Sequence, residues 1–387
     1  MALILKLRNE PLRQAGNGLA NFYRNNLGFR SYMRIHFLDS TRGLAALMVI
    51  IFHVHGLIFF DLTHIGESRL FNVLTTLFNG ADAVSYFFVL SGFVLSYKYF
   101  NSDFDESIER YSIRRIFRIM PLYLFIVVLA YLILGSGLTK LNFVQEINLF
   151  AGANPLVKPG WSLSVEVALS LLVPYMVSLI KDNIKRSFFL VLILMLCYRW
   201  ITCFTVHFLL GSLLSFWVSP KNTTKAHDYF VDMTSFKRLG IFLLLLLPYS
   251  LRFWIKLTPL KPLVDTGCEV INLQKDYFYF YISAFASCLA ISIILREPIL
   301  QRIFNLSPLT FLGKISFSLY LVHFPILKFF EQHYSSNLYN ADAGLPTTIL
   351  TYQTIIIGLS ITAATITYYA IEKPFISIGK NVVAKIA

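Results

Sequence analysis

An arginine and a histidine stand at the two ends of an otherwise apolar stretch, RGLAALMVIIFH, which runs from Arg42 to His53. In an α-helix, these side chains would share a face to within about 20° and lie about 16 Å apart along the axis. An ionisable group inside a membrane helix is usually functional, and a neutral imidazole offers one ring nitrogen as a base. Two ordinary alternatives stay open. Arg42 could anchor the helix at a membrane surface, and His53 could hydrogen-bond a neighbouring helix.

Arginines are clustered in the stretch RYSIRRIFRIMP. Arg115 and Arg118 are three residues apart and would share a helical face, with Arg114 beside them. Guanidinium groups placed in this way suit the oxygens of phosphate groups. The same pattern also fits a basic anchor at the cytoplasmic surface of a membrane.

A single carboxylate interrupts the apolar stretch PGWSLSVEVALSLLVP. Trp161 suits a membrane interface, and Glu166 lies about one and a half helical turns deeper. A carboxylate at that depth is costly without a partner, so we predict that Glu166 contacts His53. Ser162 is a weaker candidate for the substrate site, because hydroxyl groups in membrane helices are commonly structural.

Two more apolar stretches carry polar residues. SYFFVLSGFVLSY places Ser91 and Gly92 inside a helix, where a small residue permits close approach of another helix or of a ligand. GKISFSLYLVHFPIL places Tyr320 and His323 on adjacent turns, far from either end of the helix. We predict that these two side chains lie near His53, in contact with substrate or with the catalytic groups.

Membrane helices must position all of these side chains. Of the 387 residues, 56% are hydrophobic and 14% are charged, whereas a soluble protein has roughly a quarter of its residues charged. Apolar runs of about 20 residues recur, and each could cross a hydrocarbon core of about 30 Å. We predict an all-α integral membrane protein, a bundle of about ten transmembrane helices. The predicted spans are residues 43–60, 82–98, 117–134, 161–180, 187–203, 205–218, 239–255, 277–295, 310–330 and 348–370.

The net charge of +13 predicts the orientation of these helices. Most Lys and Arg residues fall in segments on one side of the predicted spans, which the positive-inside rule places in the cytoplasm with both termini. The charge therefore indicates contact with lipid headgroups rather than with nucleic acid. We divide the chain into a basic cytoplasmic or interfacial segment (1–40), a transmembrane domain (41–376) and a short cytoplasmic tail (377–387). The four cysteines lack metal-binding spacing, and no metal site is predicted.

Together these motifs resemble acyltransferase family 3, a bacterial group of integral membrane proteins that O-acylate polysaccharides, O-antigens and related glycans. The resemblance runs from about Leu38 to Phe375 and rests on the order of the motifs. The motifs are LDSTRGLAALMVIIFH, FFVLSGFVLSY, RRIFRIMP, WSLSVE, ISFSLYLVHFPI and IEKPF.

Several positions match the family's motifs residue by residue. The matching residues are Arg42 and His53 (Arg-x10-His), Arg115 and Arg118 (Arg-x-x-Arg), Trp161, Ser162 and Glu166 (Trp-Ser-x-x-x-Glu), and Ser316, Leu319, Tyr320, Leu321 and His323 in the later motif. Two departures stand out: Phe317 replaces a common Tyr, and residues 167–170 read Val-Ala-Leu-Ser where the family often reads Glu-Gln-Phe-Tyr. The second departure alters the surroundings of Glu166.

The resemblance implies a multi-pass O-acyltransferase of the bacterial inner membrane. Its donor would be cytoplasmic acyl-CoA, with acetyl-CoA expected, and its acceptor a hydroxyl group of a cell-surface glycan or glycolipid precursor. The groups expected to bind the donor are Arg42, Arg114, Arg115, Arg118, Ser91 and Gly92.

In that role His53 would act as the general base on the acceptor hydroxyl, and Glu166 would orient it or stabilise its imidazolium form, with Arg42 completing the catalytic set. An acyl-imidazole intermediate is a second possibility. The competing function is a transporter or flippase of a glycan intermediate, in which buried His and Glu side chains relay protons.

Overall fold

The structure, a computed structural model, describes residues 36–61, 79–101, 107–134, 160–196, 200–219, 233–245, 275–334 and 345–386, together with residues 262, 264–266 and 268. Within this part of the chain, every regular element is helical. The predicted amino-terminal segment therefore lies outside the described residues as far as residue 35.

The helices are α1 (His36–Asp61), α2 (Gly80–Asn101), α3 (Ile108–Leu134), α4 (Gly160–Leu171), α5 (Val173–Asp182), α6 (Ile184–Leu196), α7 (Trp200–Val218), α8 (Ser235–Leu245), α9 (Lys275–Ile294), α10 (Pro298–Phe304), α11 (Ser307–Tyr334), α12 (Leu345–Thr367) and α13 (Lys373–Ile386).

Six segments of the described chain are long and apolar enough to cross a membrane: α1, α2, α3, α9, α11 and the joined α12 and α13. The pair α4 and α5 makes a seventh if it forms one span, bent by 48°. Each predicted span overlaps one of the helices, although parts of several spans lie outside the described residues. The prediction of a helical membrane protein is confirmed for six or seven candidate spans. The count of ten and the cytoplasmic location of the termini stay predictions.

Helices α1 and α11 meet at two glycines. A Cβ atom on Gly43 would lie 2.7 Å from the backbone nitrogen of Gly313, and one on Gly313 would lie 2.5 Å from the backbone of Asp39. The two backbones are therefore in direct contact, which larger residues would prevent. Ten residues further along each helix stand His53 and His323, whose rings also meet. Because both helices rise by about 15 Å over ten residues, the parallel arrangement brings the two histidines to one level.

A second close contact joins α2 and α7. A Cβ atom on Gly92 would lie 2.2 Å from the carbonyl oxygen of Phe208, and one on Gly211 would lie 2.1 Å from that of Val89. These glycines let the two helices approach without a gap. Two hydroxyl groups of these helices are paired with each other: Ser96 Oγ lies 2.7 Å from Ser212 Oγ.

The chain ends in a helix that packs against α3. A π-helical turn, Tyr368–Glu372, joins α12 to α13, and Ser318 Oγ donates a hydrogen bond of 2.7 Å to the buried Glu372 carboxylate within it. A Cβ atom on Gly379 of α13 would lie 2.6 Å from Cβ of Phe117. The predicted tail, residues 377–387, is thus a packed helix as far as Ile386. Its side of the membrane stays a prediction.

Candidate active site

Two imidazole rings face each other between α1 and α11. Nδ1 of His53 lies 3.1 Å from Nε2 of His323, and the rings stack with their centroids 5.3 Å apart. His323 is fully buried, whereas His53 is partly accessible. Phe52 and Phe324 present ring edges or faces to His53 at 5.7 and 6.0 Å. The structure therefore brings the two histidines singled out from the sequence into one group.

Glu166 does not have the partner expected from the sequence. Among the described residues, its carboxylate accepts a hydrogen bond of 3.2 Å from Ser91 Oγ and forms an ion pair of 3.5 Å with Nη2 of Arg115. The prediction of a direct His53–Glu166 contact is wrong. The physical reason is depth: Glu166 belongs to α4 and faces the arginine-bearing end of α3, while His53 lies further along the bundle.

The packing of α2 against α1 gives the direction of this offset. The two helices run in opposite directions, since Gly80 packs against Phe52 and the Tyr86 hydroxyl lies 2.6 Å from Oγ1 of Thr41. Ser91 lies beyond Tyr86 along α2, and therefore toward the end of α1 that carries Arg42. The carboxylate bonded to Ser91 lies at that end as well.

A tyrosine and a serine lie between the two polar groups. Ser162 Oγ and the Tyr320 hydroxyl are 2.7 Å apart, and Tyr320 neighbours His323 with ring centroids 5.8 Å apart. From His323 to Tyr320 on α11 and from Ser162 to Glu166 on α4, the helical rises add up to about 10 Å. Trp161 points elsewhere and packs against Phe204, with centroids 5.4 Å apart.

These groups form two contacting sets, which share helix α4 through Ser162 and Glu166 and which together we call the polar column. Its members, from one end to the other, are His53, His323, Tyr320, Ser162, Ser91, Glu166 and Arg115. The apolar positions of the same helices form the surrounding core. The polar column therefore places hydrogen-bonding groups at successive depths along helices that are otherwise apolar.

Arg115 is largely buried at the end of the polar column opposite to His53. Its Nε donates to Ser170 Oγ at 3.3 Å, and its buried Nη2 makes no hydrogen bond to the described residues, leaving the ion pair with Glu166 as its contact there. Arg114 and Arg118 are half-buried on the same stretch of α3, and both make contacts. The predicted arginine cluster therefore lies together at one end of the column.

Arg42 forms an ion pair one helical turn away. Its Nη1 lies 3.2 Å from Oδ1 of Asp39, and both side chains are mostly buried. Sequence reasoning missed Asp39 as a partner, although the spacing in LDSTR would have indicated it, because residues three apart are neighbours on a helix. The contact explains how a guanidinium is tolerated at this position.

Ser91 and Gly92 have separate roles because they face different helices. Ser91 bonds Glu166, whereas Gly92 lies against the backbone of Phe208 in α7. The helix-packing interpretation accounts for Gly92 in this structure. A direct contact between Gly92 and an acyl donor stays a prediction.

Two further polar contacts near the site escaped the sequence analysis. Ser170, one of the residues that depart from the family's pattern, accepts the Arg115 hydrogen bond, and its carbonyl oxygen accepts another of 2.7 Å from the Tyr111 hydroxyl. His55 is buried against α12, where its Nε2 lies 2.6 Å from Nε2 of Gln353. The departure in sequence was a usable signal for Ser170. Nothing in the sequence pattern pairs His55 with Gln353.

Comparison with known proteins identifies relatives along most of the chain. A family model described as "Acyltransferase domain" matches residues 35–369. The protein named "Putative O-acetyltransferase SACOL0978" of Staphylococcus aureus (strain COL) is 25% identical, and the match covers 90% of this chain and 59% of that protein. "O-acetyltransferase OatA" of Staphylococcus aureus (strain NCTC 8325 / PS 47) is 24% identical, with coverages of 77% and 51%. This chain therefore spans little more than half the length of these relatives. No solved structure matches it significantly.

Proposed function

Because the chain belongs to the acyltransferase domain family, as its motifs indicated, we propose that it is a membrane O-acetyltransferase. It transfers an acetyl group from cytoplasmic acetyl-CoA to a hydroxyl group of a cell-surface glycan or glycolipid precursor. The names of its relatives support the acetyl group and the oxygen acceptor. The proposed location is the inner membrane of a bacterium.

The polar column is the observation that carries this proposal. It links an arginine cluster at one end to a pair of histidines about 10 Å or more away. Acetyl-CoA has a matching layout, because its charged phosphates lie at one end and its thioester lies at the other end of a long, thin arm. Arg42, Arg114, Arg115 and Arg118 would hold the phosphates while the arm extends along the column toward His53.

The proposed reaction is a direct transfer. The acceptor hydroxyl gives its proton to His53 while its oxygen attacks the thioester carbonyl carbon, the carbon–sulfur bond breaks, and the released thiolate takes the proton from the imidazolium. General base catalysis of this kind contributes about 10²–10⁴-fold to the rate. Glu166, which contacts Arg115 and not His53, then acts on the donor side by holding this guanidinium in place.

The test is acetyl transfer in membranes that contain the His53→Ala variant, with radiolabelled acetyl-CoA and the host's surface glycans. We expect a rate at least about 100-fold lower than that of the unchanged protein. His333→Ala is the matched control, because His333 is an exposed histidine of α11 that stacks on Phe329 away from the column. Substantial transfer by a correctly folded His53→Ala variant would contradict the proposal.

A second measurement addresses the acceptor. Mass spectra of surface glycans from cells with and without the gene should differ by the mass of an acetyl group. Movement of a glycan across the membrane without any acetyl transfer would instead support the transporter alternative.

A further inference from the structure

The contact made by Nδ1 sets His53 apart from other histidines of the described helices. In His207, His323 and His333, Nδ1 lies 2.7, 3.3 and 2.9 Å from the carbonyl oxygen four residues earlier in the same helix. Nδ1 of His53 lies 3.1 Å from Nε2 of His323, on another helix. When two ring nitrogens share a hydrogen bond, one must carry the proton and the other must accept it, so the protonation states of the two rings are coupled.

The carbonyl oxygen of Leu319 fixes the tautomer of His323. A carbonyl oxygen only accepts hydrogen bonds, so Nδ1 of His323 carries a proton. In the neutral ring, Nε2 is then an acceptor, and the hydrogen atom between the two rings belongs to Nδ1 of His53. His53 is therefore protonated at Nδ1, and its basic lone pair is on Nε2.

The rival assignment requires a doubly protonated His323. That ring would donate from both nitrogens and would carry a positive charge at a fully buried position. Among the described residues its contacts are His53, the backbone of Leu319 and Tyr320, and the rings of Tyr320 and Phe324, none of which is an anion. A buried charge without a counter-ion is strongly disfavoured, so the neutral tautomer is preferred.

We infer that His323 is a positioning residue, which holds His53 in the Nδ1-protonated tautomer and directs Nε2 at the acceptor hydroxyl. This inference rests on the proposed function and assigns a part of it to a second histidine. The acceptor's proton arrives at Nε2 of His53 and leaves from the same atom to the thiolate. The Nδ1 proton stays on the ring and keeps its hydrogen bond to His323 throughout. The arrangement resembles the orienting carboxylate of a hydrolase triad, with a neutral acceptor in its place.

Two isosteric substitutions separate the contacts of His323. In His323→Gln, the side-chain amide reaches the former position of Nε2, and its oxygen can accept the hydrogen bond from His53. In His323→Asn, the amide reaches only the former position of Nδ1, so that it can bond Leu319 but not His53. We expect kcat to stay within about tenfold of the unchanged protein in the Gln variant and to fall by on the order of 100-fold in the Asn variant. KM for acetyl-CoA should stay within about twofold in both, because the donor's phosphates bind at the other end of the column.

The tautomer itself can be read by nitrogen NMR on the full-length protein labelled with ¹⁵N-histidine, with the His53 signals assigned through the His53→Ala variant. We expect the unchanged protein to show a protonated Nδ1 and a bare Nε2, and the Asn variant to show a mixture of tautomers. A bare Nδ1 in the unchanged protein, or equal kcat in the Gln and Asn variants, would overturn the inference.

The two readouts distinguish this inference from the proposed function, since the tautomer is measured without turnover. Active protein with a bare Nδ1 would refute the positioning role and leave acetyl transfer intact. A protonated Nδ1 in a protein that fails to transfer acetyl groups would refute the proposed function and leave the tautomer assignment standing.

Discussion

Arg115 and Glu166 each make the other tolerable in the apolar bundle. Their side chains are 12% and 31% exposed, and the guanidinium Nη2 has the carboxylate as its contact among the described residues. Removing one partner of such a pair leaves an uncompensated charge, whereas removing both can cost little. The contribution of this contact to stability can therefore be tested separately from its proposed role in donor binding.

This leads to a prediction on stability. Arg115→Met should lower the free energy of unfolding by about 1–3 kcal/mol, because Glu166 would keep, among the described residues, only its hydrogen bond to Ser91. Adding Glu166→Gln should recover at least half of that loss, since an amide needs no counter-ion. The measurement is the midpoint of thermal unfolding in detergent for the two single variants and the double variant. Additive losses in the double variant would show that the ion pair contributes nothing.

The ionisable residues that lie together inside the bundle could be predicted from the sequence, but one partner could not. His53 and His323 stand out because imidazoles are rare in apolar helices. The partner of Glu166 depends on how far α4 lies along the bundle relative to α1, and helical periodicity gives the face of a residue but not its depth against another helix. Glu166 therefore meets Arg115 instead of His53.

At the scale of helices, the Gly43–Gly313 contact sets the distance between the two histidines. The backbones of α1 and α11 touch there, and the histidines follow ten residues later on each helix. A side chain added at the glycines would force the helices apart at a point about 15 Å from the rings. A small displacement of catalytic groups can lower a rate substantially.

Gly43→Ala should accordingly impair both stability and catalysis. The added Cβ would lie 2.7 Å from the Gly313 backbone, and overpacking of this kind costs about 1–3 kcal/mol. We expect kcat for acetyl transfer to fall by about 10–100-fold as His53 moves from His323. Activity is measured per unit of folded protein, quantified by size-exclusion chromatography.

Gly358→Ala is the matched control for this substitution. Gly358 lies inside α12 with nothing within 4 Å of its Cβ position, so that alanine should fit and raise helix stability by up to about 1 kcal/mol. If the two variants had the same kcat, the glycine contact would have no part in positioning the histidines.

Helices are predictable here from long apolar runs, whereas their bends are less so. The predicted span 161–180 corresponds to α4 and α5, which meet at a 48° bend after Leu171. Pro174 in the first turn of α5 was a usable signal, since proline favours the start of a helix over its interior. Ser162, which faces Tyr320 on α11, belongs to the segment before the bend.

At the scale of the whole molecule, the proposed reaction needs an orientation in the membrane. The packing gives the relative directions of three helices: α1 and α11 are parallel, and α2 is antiparallel to α1. The α1–α2 arrangement is the one expected for two successive membrane spans. The arginine cluster of α3 and the amino-terminal end of α1 thus lie on one side. The positive-inside rule predicts that this side is the cytoplasm, where acetyl-CoA is made available.

Sealed membrane vesicles can test this orientation, because acetyl-CoA carries several phosphate charges and does not cross a bilayer. In inside-out vesicles, the arginine end would face the medium, so added radiolabelled acetyl-CoA should acetylate endogenous acceptors at once. In right-side-out vesicles the same donor should label acceptors only after the membrane is permeabilised, and permeabilised vesicles of both kinds should reach equal labelling. Immediate labelling of intact right-side-out vesicles would show that acetyl-CoA enters from the outer side, and would contradict a cytoplasmic location of the donor and of the arginine end.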